Sequence, residues 1–491
     1  MSGTIDDLES LANRVSDLTA ALAERDAVIA GLRATVAAQS GRIAELERRL
    51  GLDSSNSGKP PSSDGLSKPT AEESRERGKS RRRESSRKPG GQRGHKGGTL
   101  ARSTIPDRVE DHYPGACAGC GGALDAGTSV GSAARQVHDL PEPPPLEVTE
   151  HRAHRCVCPA CGAATRADFP EGVTAPVRYG PRLAALVVYL NTAQMVPVRR
   201  LRQTLIDLFG VRLSQGTVAG MVARAAERFA GSALHIRDAV AKAPVKHMDE
   251  TGIRVRGSLA WLHVACTGLL SHFRVGAGRG DVMMDATGTA VHDHWRPYFN
   301  IPGTARALCA AHILRELQDR VDFGDEEWAE RMGRLLRRAV HAANLSDGKP
   351  LPARLADLIG RRYDGIVANG IAMHESLPPP APPGKRGRRK RRRGHNLALR
   401  LRDNREGVLR FTRDPAVPAT NNEAERALRP LKVQQKISGS FRSAEGARNQ
   451  AVLRTVLDTA RRQGWNLLET LLAPPDGLMN RIAKPEPATV R

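Results

Sequence analysis

Residues 245–255 read VKHMDETGIRV, a short run rich in β-branched residues that is typical of a β-strand, with the acidic residue Asp249 inside it. Two similar runs follow at once, LAWLHVACTG at 259–268 and SHFRVGAG at 271–278. Glycine and serine separate the runs, as expected where a chain turns between strands. The sequence therefore predicts three consecutive antiparallel strands.

The next part of the chain alternates between helix and strand. We expect a helix near 281–290, a strand in GTAVHDHW at 288–295, and a strand leading into a helix in ALCAAHILRELQDRV at 307–321. Three antiparallel strands followed by alternating helix and strand are the pattern of a ribonuclease-H-like α/β core.

Three carboxylates lie in or beside these segments. They are Asp249, Asp293 in GTAVHDHWRPY, and Glu425 in TNNEAERALRP, which opens a predicted helix. Acidic side chains brought together from such distant positions suit a two-metal phosphoryl-transfer site, because hard carboxylate oxygens hold Mg²⁺ or Mn²⁺. We therefore predict that these three acids bind catalytic divalent ions.

Other interpretations of these acids remain open. Glu425 also has the i,i+4 spacing for an ion pair with Arg429 on one helix face. Asp293 lies between His292 and His294, which fits a surface acid or a zinc or iron site as well.

Two neighbouring acids are assigned to other roles. Glu250 directly follows Asp249, so on a strand its side chain points to the opposite face. Glu423 stands three residues after Thr420, which is the spacing of a capping box and predicts a structural role.

The charge of the chain favours a polyanionic partner. Its 491 residues include 76 Lys and Arg against 53 Asp and Glu, a formal net charge of +23. The basic residues are clustered, which favours the DNA phosphate backbone over a merely solvated surface. Aromatic residues make up only 3% of the chain, which favours double-stranded DNA over a stacking surface for single strands.

Five of the seven cysteines fall in one stretch at metal-like spacing. Cys117-x-x-Cys120 and Cys158-x-x-Cys161 predict four thiolate ligands for a structural Zn²⁺, and Cys156 either replaces one ligand or is free. This usage favours a reducing compartment. No apolar run approaches the ~20 residues of a membrane span. We expect a bacterial cytoplasmic protein, associated with the nucleoid.

Residues 5–52 carry two interleaved sets of residues at heptad spacing. The first set is Leu8, Val15, Leu22, Ile29, Val36, Ile43 and Leu50, and the second is Leu11, Leu18, Arg25, Leu32, Gln39 and Leu46. The pattern predicts a coiled coil that suits a parallel dimer, although a single amphipathic helix packed on its own domain would carry the same pattern. Residues 53–104 are rich in Ser, Gly, Pro, Lys and Arg, which predicts a disordered basic linker that lies along DNA or acts as a plain tether.

Three apolar runs between 171 and 236 have helical spacing, and they fit either a helix-turn-helix or any helical hairpin. The second run ends at Gly210, a helix stop, and the third begins at Ser214, a predicted N-cap. Residues 321–405 are mostly helical and polar and contain the basic run KRGRRKRRR at 385–393, a phosphate contact or a solvated loop. Helical spacing returns from 406 onward.

The prediction is a multidomain protein. Its units are a coiled-coil helix at 1–52, a basic disordered linker at 53–104, a zinc-binding module at 105–170, a helical region with a candidate helix-turn-helix at 171–236, the first part of the ribonuclease-H-like core at 237–320, a helical insertion with a basic loop at 321–405, the second part of the core with the Glu425 helix at 406–475, and a tail at 476–491.

Several motifs together resemble transposases of the insertion-sequence-66 family, a DDE group with a ribonuclease-H-like catalytic domain. The specific ones are MDETGIRV, VHDHWRPY, LCAAHILREL and TNNEAERALRPLKVQQKISGSFRS. The heptads, NSGKPPSSD, GGQRGHKGG and the paired CxxC motifs also fit, so the resemblance runs nearly from end to end.

The resemblance implies that Asp249, Asp293 and Glu425 form the metal-binding triad. It also implies binding of the element's terminal inverted repeats, strand cleavage and strand transfer, and it suggests small accessory proteins from the same element. Cys309-x-x-His312 resembles an element that follows the second aspartate in several DDE groups; a ligand role and a buried cysteine with a helix-capping histidine are both open. The residues predicted to contact DNA are Arg388, Arg389, Lys390, Lys432, Lys436 and Arg442.

Two other functions are compatible with parts of the sequence. A non-catalytic zinc-containing DNA-binding protein explains the charge, the cysteines and the heptads, but it leaves the acids within the predicted strands unexplained. An inactive transposase relic is disfavoured because all three acids are present.

Overall fold

The computed structural model describes residues 18–20, 22–33, 35–36, 39, 100–143, 145–324, 326–378 and 391–483. The chain divides into two compact units, a smaller one made of 67–152 and 205–211 and a larger one made of the remaining residues. Within the described ranges, no helix combines the length and the apolar character that crossing a membrane requires.

The N-terminal segment is helical wherever it is described between residues 18 and 39, and these residues are exposed. The exposed apolar members of the two heptad sets are Leu18, Leu22, Ile29, Leu32 and Val36. The helix agrees with the prediction, whereas its pairing with a second chain stays a prediction. The rest of the predicted coiled coil, and residues 53–99 of the predicted linker, lie outside the described residues.

A short hairpin and four helices precede the central sheet. The hairpin pairs β1 (Arg155–Val157) with β2 (Ala164–Arg166). The helices are α1 (Pro181–Val188), α2 (Val198–Phe209), α3 (Gln215–Arg228) and α4 (Ala230–Lys242).

The ends of these helices follow local signals in the sequence. The hydroxyl of Ser214 accepts a hydrogen bond from the amide of Thr217 at 3.0 Å, which caps α3 as predicted. Gly210 follows α2 with a φ of +66°, a left-handed conformation that glycine adopts readily. The prediction of helices in this region is therefore confirmed, and a role in DNA recognition stays a prediction.

Five strands form the central sheet: β3 (Val245–Val255), β4 (Ser258–Cys266), β5 (Ser271–Gly276), β6 (Gly288–His292) and β7 (Thr304–Leu308). Their order across the sheet is β5-β4-β3-β6-β7. β3, β4 and β5 are joined as antiparallel neighbours, whereas β6 runs parallel to β3 and β7 parallel to β6. The sheet is therefore mixed, and its pairing changes from antiparallel to parallel at β3.

The helix predicted near 281–290 does not form, and that prediction was wrong. The carboxylate of Asp281 accepts a hydrogen bond from the amide of Gly278 at 3.1 Å and so stabilises a turn. Gly288, where β6 begins, has a φ of +73°, and a Cβ there would lie 2.6 Å from the carbonyl oxygen of Pro244. The turn and this glycine leave too short a segment between them for a stable helix.

A group of helices after β7 builds a hydrophobic core of its own. The helices are α5 (Ala310–Gly324), α6 (Glu327–Leu345), α7 (Ala353–Ser376), α8 (Arg393–Asp403) and α9 (Arg405–Leu409). Trp328, Tyr363 and Leu397 are buried together in this core. The helices agree with the predicted insertion at 321–405.

The C-terminal part is also helical, with α10 (Asn422–Ser438), α11 (Ala444–Arg462), α12 (Leu467–Leu472) and α13 (Pro475–Ala483). The predicted tail thus begins as a helix, because Leu478 and Ile482 are buried against the same core as Phe229 and Ile236. Burial of these apolar side chains outweighs the short length of the helix.

Helix α11 covers the outer edge of β5. The amides of Ser271 and Phe273 donate to the hydroxyls of Thr459 and Thr455, at 3.1 and 3.0 Å. Two strand residues and one helical turn both advance roughly 6 Å, so the two hydroxyls match the two amides. The edge amides of the sheet are therefore satisfied by side chains.

Candidate metal-binding sites

Asp249 lies within β3, and Asp293 directly follows the neighbouring parallel strand β6. β3 and β6 are in register, with His247 opposite Val291. Asp249 stands two residues beyond His247 and Asp293 two residues beyond Val291, so the register carries both acids to the same end of the sheet. The carboxyl ends of parallel strands are where α/β folds commonly place ligand-binding groups.

Burial and repulsion between charges raise the pKa of both aspartates. Burial raises the pKa of Asp249 well above its usual range, and the negative charges of Glu250, Asp293 and Glu425 raise it further. Burial also raises the pKa of Asp293, and the charge of Glu250 adds to the effect. A divalent cation would relieve this repulsion, so these oxygen ligands fit a hard ion such as Mg²⁺.

Glu425 approaches this region from the first turn of α10, and its negative charge acts on Asp249. The Oε1 atom of Glu425 lies 3.6 Å from Nδ1 of His312 and 3.6 Å from Nη2 of Arg315, both on α5. In the described part of the chain these are its ion-pair neighbours, and the alternative pair with Arg429 does not form. Glu425 thus pairs with residues of α5, and not with Arg429 on its own helix.

The capping box predicted for Thr420 and Glu423 is also absent, since the residue before α10 is Asn421 and its side chain makes no capping bond. The carboxylate of Glu423 instead accepts hydrogen bonds from Arg462 at 2.9 Å and Arg426 at 3.3 Å. Two charged donors hold a carboxylate more strongly than a single backbone amide, which explains the failure of the prediction.

Asn421 is a residue whose role the sequence analysis missed. Its Nδ2 donates to the carbonyl of Met248 at 2.8 Å, and its Oδ1 lies 3.0 Å from Nδ1 of His247. Its backbone amide donates to Sγ of Cys309 at 3.2 Å. This buried asparagine therefore fixes the start of α10 against β3, directly beside Asp249. A polar residue immediately before a helix is the one signal that its sequence position offers.

A buried cluster around Glu250 was missed as well. Nε of Arg279 donates to Oε1 of Glu250 at 2.8 Å, and the hydroxyl of Tyr298 donates to Oε2. The Arg279 guanidinium lies 3.8 Å from the ring centroid of Trp295 and 5.2 Å from that of Trp261. These contacts give Glu250 a neutralising partner in Arg279.

The histidines that flank Asp293 pack into an aromatic cluster. The ring of His292 lies 5.0 Å from that of Tyr298, and the ring of His294 lies 4.8 Å from that of Phe299. Burial lowers the pKa of both histidines to about 4. Their packing on aromatic rings does not favour the alternative of a zinc or iron site around Asp293.

Among the predicted DNA contacts that the structure describes, Lys432 is influenced by the charge of Asp249. It stands seven residues after Glu425, two turns along the same face of α10. Burial lowers the pKa of Lys432, and the charge of Asp249 opposes that shift. Lys436 and Arg442 are exposed. The predicted contacts outside the described residues are Arg388, Arg389 and Lys390.

Each CxxC pair forms a tight knuckle. In the first, the amide of Cys117 donates to the carbonyl of Gly122 at 2.8 Å, and the amide of Gly121 donates to the carbonyl of Cys117 at 2.9 Å. The second knuckle, at 158–163, repeats both bonds at 2.8 and 2.9 Å. Gly121 and Gly162 have φ of +75° and +72°, which glycine adopts without strain.

The knuckles also favour the thiolate form of their first cysteine. Hydrogen bonds from the backbone of Cys120 and the residues before it lower the pKa of Cys117. The backbone of Cys161 and its neighbours lowers the pKa of Cys158 in the same way. Thiolates are the form that binds Zn²⁺, so each pair fits that ion. Cys156 lies exposed on β1.

Known protein families match both the part of the chain that contains the acids and the part that contains the cysteine pairs. The Transposase IS66 family matches residues 176–449, which is more than half of the chain. The zinc-finger binding domain of transposase IS66 matches residues 114–162, and a family of unknown function (DUF6444) matches residues 12–101. No curated protein matches the chain significantly. These matches define a transposase with a zinc-finger domain. The chain belongs to the IS66 transposase family.

Proposed function

We propose that this transposase binds the terminal inverted repeats of its own insertion sequence and catalyses metal-dependent DNA strand cleavage and strand transfer. The observation that carries the proposal is the register of β3 and β6, with Asp249 and Asp293 at equivalent positions. Glu425, whose negative charge adds to the raised pKa of Asp249, is the third acid of the proposed DDE triad.

The sheet supports a ribonuclease-H-like core. Its order β5-β4-β3-β6-β7 has an antiparallel half and a parallel half, and helices follow β7. This is the arrangement expected from three antiparallel strands followed by alternating helix and strand. Asp249 lies on β3, where the halves meet, and Asp293 directly follows β6.

Asp249, Asp293 and Glu425 would hold two Mg²⁺ or Mn²⁺ ions. When bound, such ions activate the attacking oxygen and stabilise the leaving oxygen of a phosphodiester. The aspartates provide oxygen ligands on a rigid sheet, while Glu425 closes the site from α10. Lys432, two turns further along α10, is placed to hold a DNA phosphate close to the acids.

The zinc-finger region and the N-terminal helix complete the proposal. The zinc-finger match covers Cys117, Cys120, Cys158 and Cys161, which supports these four thiols as ligands of a structural Zn²⁺. The exposed heptad residues support a homodimer or higher oligomer on DNA. Small accessory proteins from the same element are further candidate partners.

The deciding experiment measures strand breakage in a duplex that carries the element's ends, in the presence of Mg²⁺. Asp249→Asn should lower the cleavage rate by about 10³-fold or more, because the triad loses a charged ligand, while duplex binding stays within about twofold. The control is Asp285→Asn, the same chemical change at an exposed residue that pairs with Arg237. Equal nicking by Asp249→Asn and the wild type would remove the triad from the mechanism and favour a non-catalytic DNA-binding protein.

A further inference from the structure

The starts of two helices meet beside the acidic residues. Cys309 lies between β7 and α5, and the amide of the next residue, Ala310, donates to the carbonyl of Ala419 at 2.9 Å. The amide of Asn421, just before α10, donates to Sγ of Cys309 at 3.2 Å. These bonds bring residues of the first turn of α5 next to residues of the first turn of α10.

Three ligand-type atoms converge at this junction. One atom each from Cys309, His312 and Glu425 lies within 4.8 Å of the other two. Cys309 is buried, and the side chains of His312 and Glu425 are 24% and 22% exposed. A thiol, an imidazole and a carboxylate are therefore gathered in a largely enclosed space.

Two atoms of this group are buried without a hydrogen-bond partner among the described residues. They are Nδ1 of His312 and Oε1 of Glu425, which face each other at 3.6 Å. A buried polar atom left unsatisfied costs about 1–3 kcal/mol, so native proteins normally supply a partner. Two ligand atoms at ~2.0 Å from a tetrahedral ion are separated by about 3.3 Å, close to the distance observed here.

The chemistry of the three groups selects the ion. Sulfur is a poor ligand for Mg²⁺, whereas Zn²⁺ accepts thiolate, imidazole and carboxylate together. One thiolate and one carboxylate balance the charge of Zn²⁺, and the thiol proton leaves to solvent on binding. We propose that Cys309, His312 and Glu425 bind a Zn²⁺ ion that is distinct from the zinc of the zinc-finger domain.

This site goes beyond the proposed function. Three protein ligands leave a fourth position for water or a phosphate oxygen. The ion would lock Glu425 between α5 and α10 through Oε1, which leaves the second carboxylate oxygen for the aspartate side. The competing arrangement is a direct ion pair between Glu425 and Arg315, whose Nη2 is 3.6 Å from the same oxygen.

The test counts zinc ions per chain in the full-length protein by elemental mass spectrometry, after dialysis against metal-free buffer. The wild type should hold two ions and Cys309→Ser one. Cys266→Ala, which replaces a buried cysteine outside both sites, should keep two. One ion in the wild type, or two in Cys309→Ser, would overturn the proposal and favour the Arg315 pair.

A second measurement separates loss of a ligand from loss of folding. A variant with serine at the four zinc-finger cysteines keeps Cys309, and titration with Co²⁺ should give thiolate-to-cobalt absorption from a single site. Adding His312→Ala to this variant should abolish the thiolate-to-cobalt absorption. The proposed site is contradicted if the absorption is missing before His312→Ala is added, or if it persists afterwards. Asp249→Asn should keep both zinc ions whether or not it cleaves DNA, so this result is independent of the test of the triad.

Discussion

Each cysteine knuckle is complete within a few consecutive residues, whereas the proposed acidic site draws Asp249, Asp293 and Glu425 from β3, from the residue after β6 and from α10. The knuckle at 117–122 is shaped by its own backbone hydrogen bonds and one glycine with positive φ. The acids depend on strand register and on the docking of a distant helix. A local site can be recognised from spacing, while a long-range site requires that the whole core be formed.

The cysteine knuckles and the aspartates also differ in how their surroundings affect the charged form of the side chain. Backbone amides lower the pKa of the first cysteine of each knuckle and so favour its charged form, whereas burial and repulsion raise the pKa of the aspartates and disfavour theirs. Each knuckle favours a thiolate through its own backbone and without tertiary packing. The aspartates carry a repulsive free energy that a bound cation would offset. Variants in the two regions should therefore behave differently.

The largest expected effect is loss of the zinc-finger ion. Cys117→Ser should remove one zinc ion per chain, since three thiolates hold Zn²⁺ less well than four, and it should weaken duplex binding. Elemental analysis and a binding titration measure the two effects. Glu150→Gln, at an exposed residue, is the control. Unchanged zinc in Cys117→Ser would refute its assignment as a ligand.

A smaller effect is expected at the acidic region. Lys432→Gln should slow strand cleavage about tenfold, equivalent to ~1.4 kcal/mol, because a charge beside Asp249 no longer holds the phosphate. Lys349→Gln, at an exposed turn, should cleave at the wild-type rate. Single-turnover cleavage measures the change. Equal cleavage rates for the two variants would show that Lys432 does not contribute to strand cleavage.

The smallest effect is a change in stability. A carboxyl group whose folded-state pKa lies above its ordinary value near 4 loses stability as the pH rises from that value through the raised pKa. Without metal at pH 7, Asp249→Asn should therefore raise Tm by roughly 2–4 °C, the shift expected for about 1 kcal/mol.

At pH 3 the same difference should disappear, because the carboxyl is protonated in both the folded and the unfolded chain. Millimolar Mg²⁺ should raise the Tm of the wild type but not that of the variant. Thermal melts at both pH values measure these differences in Tm. A Tm of the metal-free Asp249→Asn variant below that of the wild type at pH 7 would contradict the proposed charge repulsion at Asp249.

The difference between local and long-range contacts also explains which parts of the fold could be predicted from the sequence. The cap at Ser214 and the strands from 245 to 278 follow from local pattern, so they were predicted correctly. The helix expected near 281–290 failed because a turn and Gly288 interrupt a segment that has helical composition.

The site was predictable only in part. Asp249 and Asp293 stand out because they are acids in or beside apolar strands. Asn421 and Arg279 acquire their roles from partners far away in the chain, and spacing carries no trace of such contacts. Glu423 was assigned to a local cap because its distant partner, Arg462, could not be foreseen.

The hydroxyls of Thr455 and Thr459 leave Ser271 and Phe273 without a free amide for a strand from another molecule. Two copies of the protein brought close together therefore cannot join their sheets through these positions of β5. Amyloid-like association there is disfavoured, and contacts between copies are left to side-chain surfaces.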